Sequence, residues 1–277
     1  MGNITITPVA ENTAPTGMGL MAEHGLSFHI LNNGEELLFD TGQGLVLENN
    51  MKLLGKEISK IQKIVLSHGH YDHTGGLKFA SENADFSVFG HPDLFIPKFA
   101  SIDGENFYDI GCPVSRVDLE ENGVSFLLSK SSQKVSDNII TTGEIPLRTD
   151  FEIIENHFYR EGQNKKIPDP LNDDLGIIIE TDKGLVVILG CTHRGIINTL
   201  MHISDLTGEK KFHMVMGGLH LGGADKVKMD LVIDKLSDFK IDNLITAHCT
   251  GSFASVCLAS SEKINHSFIG LGFPYSF

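Results

Sequence analysis

The stretch LSHGHYDHTGG, Leu66 to Gly76, places three histidines and one aspartate within six positions, directly after the apolar run KIVLS at Lys63 to Ser67. Such a cluster is too polar for a core and too dense for an ordinary loop. A tight turn after a short buried strand can point alternate side chains at two neighbouring points. Imidazole suits zinc, iron and nickel, and a carboxylate adds harder character. His68 and His70 then serve one metal, and Asp72 and His73 the other. Two metals about 3.5–4 Å apart can share a hydroxide, because coordinated water reaches a pKa near 7. The expectation is two divalent metals per chain, zinc first, with iron or manganese also compatible. The competing reading is an exposed histidine-rich loop in a chain of 13 histidines. The full H-x-H-x-D-H-x-G-G order after a strand weighs against it.

Working outward, HGLSFHILNNGEELLFDTG (His24 to Gly42) reads as a hairpin turning at Asn32-Asn33-Gly34. Leu45 to Leu54 has helical spacing. A short helix after Gly76 and a strand at Phe86 to Phe89 follow. Pro92 to Lys130 reads as a short helix and then strands. The polar, proline-containing stretch 151–172 reads as a long surface loop or lid. Then the opening pattern returns. GIIIETDKGLVVILGCTHRG (Gly176 to Gly195) is a second hairpin, turning at Asp182-Lys183-Gly184. A helix over Gly195 to Leu206, a strand over Phe212 to Met216, an amphipathic helix over Ala224 to Phe239 and a strand over Asn243 to Ala247 complete it. Each half runs hairpin, helix, then a strand ending in histidine. The order predicts an α/β protein, a four-layer αββα sandwich, formed as a single domain over residues 1–277 from two related halves. Polar groups would converge at the strand ends on one edge.

The 277-residue chain can bury a full core. Its net charge of -14 argues against nucleic acid and anionic membranes as partners. A small anionic substrate stays compatible, because a metal site reverses the local sign. No apolar stretch approaches the roughly 18–20 residues of a membrane span, and MGNITITPVAEN lacks a secretory pattern. Ile6 breaks the acylation pattern. Cys112, Cys191, Cys249 and Cys257 show no C-x-x-C spacing, which reads as reduced thiols in a cytoplasmic protein.

The segments LFDTG (Leu38 to Gly42) and SHGHYDHTGG (Ser67 to Gly76) resemble the first two motifs of the metallo-β-lactamase superfamily. AEHGLS, TGEIP, GCTHRGIINT, GGLHL and AHCTG (from Ala22, Thr142, Gly190, Gly217 and Ala247) are similar to one branch of it. That branch holds metal-dependent hydrolases and a methanopterin-type synthase, which joins an aminobenzene ribofuranosyl phosphate to a dihydropterin. The resemblance implies the αββα fold, a mono- or dinuclear site, and Asp40 as a residue orienting the turn or a ligand. One departure stands out. Where the superfamily carries a third-motif histidine, this chain reads ITTGEIPLRT, and Cys191 replaces the usual fourth-motif aspartate. His193 is inferred to complete the metal set in its place, with His248 as the last ligand. The inferred metal ligands are therefore His68, His70, Asp72, His73, His193 and His248.

Asp72 and His220 are the expected catalytic residues, His220 as a proton donor or substrate-binding group, or else as support for the ligands. Cys191 is a metal thiolate or a small buried thiol. Cys249 alternates away from His248 and reads as core. Glu23 and His24 read as pocket-lining, and Glu144 as a ligand or polar wall. His91 reads as a loop or capping residue, and His157, His202, His213 and His266 as ordinary residues. The leading function is hydrolysis of a small anionic, phosphorylated substrate by metal-bound hydroxide. The alternatives are the synthase, a di-metal redox protein, and a non-catalytic metabolite-binding module.

Overall fold

The computed structural model describes residues 4–277. The leader and acylation readings fall partly on residues 1–3, outside the described residues. Two large sheets face each other. In the first, seven strands run in the order Tyr275–Ser276, Ile4–Ala10, Ser27–Asn32, Glu35–Phe39, Ile61–Val65, Ser87–Gly90 and Ser125–Leu128. The main path of the second runs His266–Phe268, Leu244–Ala247, Lys211–Gly218, Gly184–Leu189, Gly176–Thr181, Ile139–Thr141 and Lys134–Ser136. The hairpin Ser27–Phe39 is antiparallel, and the strands after it add in parallel. The hairpin Gly176–Leu189 is antiparallel too, and its later strands also add in parallel.

Side-chain alternation explains the layering. In Gly184–Leu189, Val186 and Ile188 enter the core between the sheets, while Leu185, Val187 and Leu189 meet the outer helices. In Glu35–Phe39, Leu37 and Phe39 point inward and Leu38 outward. A strand buried on both faces needs an apolar residue at every position, which is why these runs are continuous. Helices Leu47–Leu53, Leu77–Asn83 and Arg116–Glu121 cover the first sheet through Leu47, Leu77 and Leu119. Helices Ile196–Thr207, Lys226–Leu236 and Ser252–Ala259 cover the second. The result is the αββα sandwich expected. Asn33 and Gly34 both take positive φ, as a tight hairpin turn requires.

The stretch 151–172 is not a surface lid. Phe158–Glu161 and Lys166–Pro168 are strands of a third, small sheet, paired through Lys98–Ala100 to Tyr108–Asp109. Asp169 and Leu171 are buried. Polarity suggested exposure, but these groups are paired with residues far away in the chain. No helix among the described residues is long and apolar enough to cross a membrane.

Candidate metal centre

Strand ends deliver the polar groups to one edge. Asp40, His220 and His248 each lie just past a strand, Thr192 follows the second hairpin, and all four have φ between 47° and 61°. Among the described residues they are four of six non-glycine residues with positive φ, so the strain gathers where the chain turns its functional groups inward. Two glycines permit close approach. A β-carbon on Gly69 would strike the Leu94 carbonyl, and one on Gly190 would strike Ser67 and crowd Asp40.

His68, His70 and His193 meet at one point. His68 Nε2 lies 3.0 Å from His70 Nδ1 and 3.3 Å from His193 Nε2. Ser67 supplies the reason for this tautomer. Its backbone N–H and its hydroxyl both donate to Asp40, at 2.7 Å each, so Oγ is left to accept from His68 Nδ1 at 2.9 Å. His68 then presents a lone pair at Nε2. Burial holds all three imidazoles neutral, His70 down to about 3 and the other two well below the usual range. Three buried, neutral imidazoles converging on one point suit a common cation. The donor set therefore fits a divalent metal.

Asp72, His73 and His248 form a second group beside the first. Asp72 Oδ2 accepts from His248 Nε2 and from His24 Nε2, both at 3.2 Å, and lies 3.8 Å from His73 Nε2. Burial raises the Asp72 pKa, but the surrounding imidazoles outweigh it and hold the carboxylate well below its usual range. His73 Nδ1 donates to Asp40 at 2.7 Å. Burial opposes the charge on His73, yet Asp40 and Asp72 push its pKa up to about 9. His248 Nδ1 meets Asn12 Oδ1 at 2.8 Å, and its backbone N–H donates to Glu11 at 2.7 Å. Cys191 Sγ sits between the groups, 3.1 Å from His73 Nε2, in one cluster with His68 and His73. Burial, with Cys249 and the Asp72 charge adding to it, pushes its thiol pKa well up.

The expected residues thus gather, with exceptions. Glu23 is no pocket wall: its buried carboxylate accepts the backbone N–H groups of Gln43, Gly44 and Leu45 and pins the loop after Asp40. His24 does stand at the site, half exposed, its ring 4.8 Å from that of His248. Glu144 pairs with His91 at 2.8 Å and with Lys130 rather than with the histidine cluster. His91 caps a short 3-10 turn by accepting from Asp93 N–H. Cys249 does not face the core. Strand alternation stops at His248, where the chain enters a 3-10 turn, and Cys249 Sγ joins a cluster with Cys191 and His248. His220 stands 3.3 Å from Glu155, and its ring lies 4.2 Å from that of His193. Burial would lower its pKa, but Cys249 and Glu155 drive it up to about 10. His157 meets the same Glu155 at 3.3 Å.

Several contributors escape motif reading. Phe158, from the small sheet, packs its ring 5.0 Å from His193 and 5.4 Å from His70 and roofs the three-histidine group. Lys98 is fully buried and bonds Asp169 at 2.8 Å and Asp173 at 2.9 Å. Asp173 also accepts the Gly69 N–H, between His68 and His70, at 2.8 Å. Ser67 and the acidic run in PDPLNDD were visible signals. The partners of that run, 20 to 104 residues away along the chain, were not.

Comparison with known proteins agrees with this geometry. A family model described as the metallo-beta-lactamase superfamily matches residues 22–248. The 7,8-dihydropterin-6-methyl-4-(beta-D-ribofuranosyl)-aminobenzene-5'-phosphate synthase of Methanocaldococcus jannaschii is 31% identical over 262 residues, covering 90% of this chain and 88% of that protein. An uncharacterised protein of the same organism is 32% identical over 254 residues, covering 90% and 92%. Among solved structures, Tm1679, described as a metal-dependent hydrolase of the beta-lactamase superfamily, superposes with a TM-score of 0.84 at 24% identity over 98% of each chain. Zn(2+)-bound PqqB from Methylobacterium extorquens has a TM-score of 0.59 at 13% identity over 99% of each. From its residues, its layers and its relatives alike, this chain belongs to the metallo-beta-lactamase superfamily.

Proposed function

We propose that this chain is a metal-dependent hydrolase using two divalent metals. His68, His70 and His193 hold one, and Asp72, His73 and His248 hold the other, with Cys191 between them. The observation that carries the reading is the convergence of three neutral imidazole nitrogens beside a carboxylate-centred group. A metal held by these residues would lower the pKa of water and polarise an electrophile, which is the chemistry of a hydrolase at neutral pH.

The chain's own residues do the rest. Asp40 fixes His73 directly and His68 through Ser67. Asp72, kept anionic by three imidazoles, touches the second metal position and orients the attacking group. His220, protonated at neutral pH, donates a proton to the leaving group or binds an anion. A small pocket beside it is lined by Thr192, His193 and Lys228 and by Glu152 and Glu155, so its wall carries both signs of charge. The 31% identical synthase, named for a 5'-phosphate, supports a small phosphorylated substrate, and the imidazole-rich donor set supports zinc as the first metal to test. We also propose that residues 1–277 act as one domain of two related halves, a reading supported by the matching order of strands in the two sheets.

A second reading is supported by the 31% identical synthase. In it the same centre stabilises departing phosphate charge while two substrates join. Incubating the metal-loaded protein with a dihydropterin pyrophosphate, with and without the aminobenzene ribofuranosyl phosphate, separates the two. Pyrophosphate released without coupling supports hydrolysis. A coupled product overturns it in favour of the synthase. No metal-dependent reaction with this or any simple phosphate ester would sink the enzyme reading.

A further inference from the structure

Two of the three histidines at the roofed position have no partner on their outer nitrogen. His70 Nε2 and His193 Nδ1 are buried without a hydrogen bond, whereas His68, His73 and His248 each have one on Nδ1. No side chain holds the outer nitrogens of His70 and His193, so their aim falls to the backbone and to the Phe158 ring.

The backbone is gripped at the right places. Asp173 Oδ2 accepts the N–H of Gly69, between His68 and His70, at 2.8 Å. Asp174 Oδ2 accepts the N–H of Arg194, next to His193, at 2.9 Å. The Leu175 N–H donates to the Ser67 carbonyl at 2.9 Å, just before His68. Three consecutive residues thus clasp both loops that bear the three histidines. The clasp is itself anchored. Lys98 ties Asp173 to Asp169, and the Arg194 guanidinium bonds the Pro170 carbonyl and the Asn172 side chain. Leu171 between them is held at a φ of 46°, a strain that only a fixed segment sustains. None of the hydrogen bonds recorded for residues 169–175 reaches Asp72, His73 or His248.

We infer that residues 169–175 are a positioning strap that builds the three-histidine metal position selectively, with Asp173 and Asp174 acting on His68, His70 and His193 through the backbone. The inference rests on the dinuclear reading above. It predicts that loss of the strap's grip removes one metal and leaves the other.

The test is metal binding, followed by zinc titration of metal-free protein and by the spectrum of the cobalt-substituted form. Removing Asp173 alone would strand the buried Lys98 charge and could prevent folding. The comparison is therefore made in a Lys98→Met, Asp169→Asn background, with Asp173 changed either to Asn or to Leu. The amide oxygen of Asn can still accept the Gly69 N–H, and Leu cannot. The Asn variant is expected to bind two metals as the parent does. The Leu variant is expected to bind one normally and the other about 10–100-fold more weakly, the usual effect of losing support behind a ligand. Adding His248→Ala to the Leu variant leaves no tight metal. Adding His70→Ala leaves the one metal undisturbed. If the parent binds two metals and the Leu variant binds both with unchanged affinity, the strap is overturned while the dinuclear reading stands. If the parent binds fewer than two, the dinuclear reading falls and takes the selectivity with it.

Discussion

The two donor groups lie side by side, yet they are held by different means. Around Asp72, His73 and His248, support comes from side chains: Asp40 behind His73, Asn12 behind His248, and His24 and His248 on the Asp72 carboxylate. Around His68, His70 and His193, support comes mostly from main-chain anchoring and from the Phe158 roof. One group reaches the surface through the half-exposed His24, and the other borders the pocket beside His220 through His193. A position held by backbone tolerates little change in the loops beneath it. A position held by replaceable side chains can be tuned one hydrogen bond at a time.

The largest effect is expected from the donors themselves. His70→Ala and His248→Ala each remove one ligand, from opposite groups. Each should lose one metal, and turnover should drop more than about 100-fold, beyond the 10–100-fold range expected when only the hydrogen bond behind a ligand is lost. Elemental analysis paired with kinetics checks both. Unchanged turnover in His70→Ala would break the comparison at its root, because the three-histidine group would then take no part in the reaction.

Asp40 is where the two groups meet. It serves His73 directly and His68 through the Ser67 hydroxyl. Asp40→Ala should weaken both metals, by about 10–100-fold each. It also strands the buried Ser67 N–H, at about 1–3 kcal/mol of stability. Asn12→Ala should weaken only the second metal, at the lower end of that range. Competition with a chelator of known affinity reads both variants. Equal loss at both positions in Asn12→Ala would mean that the two groups are not separately supported.

Legibility in the sequence followed the range of the interaction. The H-x-H-x-D-H turn, its preceding strand and both hairpins are local, so periodicity and turn residues predict them. Cys249 was misplaced because a period of two was extended past the residue where the strand ends. The strap was misplaced for a deeper reason. In PDPLNDD every polar group reads as solvated until Lys98 and the Gly69 and Arg194 amides are brought to it. Burial of charge is a tertiary fact, and a run of acids in one sequence does not disclose its partner. Phe158 was likewise invisible, since it meets His70 and His193 only once its strand pairs with Lys98–Ala100.

The smallest effect concerns the charge inside the strap. Burial raises the Asp173 pKa, but Lys98 and the Gly69 N–H more than reverse it, so Asp173 titrates below the ordinary 3.8. Burial lowers the Lys98 pKa, but Asp173 and Asp169 outweigh it, so Lys98 titrates above 10.5. A carboxyl with a depressed folded pKa contributes stability above its unfolded value and loses it as pH falls through the folded one. An amine with a raised folded pKa contributes below its unfolded value and loses it as pH rises through the folded one. The network therefore stabilises the fold fully between 3.8 and 10.5 and fades on either side. The Lys98→Met, Asp169→Asn, Asp173→Asn variant keeps the hydrogen-bond shape and removes the titration. Melting curves of the two metal-free proteins across pH cancel the groups that neither Lys98 nor Asp173 touches, but not Asp174, which burial lifts to about 7 with the Asp173 charge adding to it. Below pH 3.8 the stability difference between them should shift toward the variant. Parallel curves through the acid limb would mean that the strap grips by shape alone, with its buried charges contributing nothing that titrates.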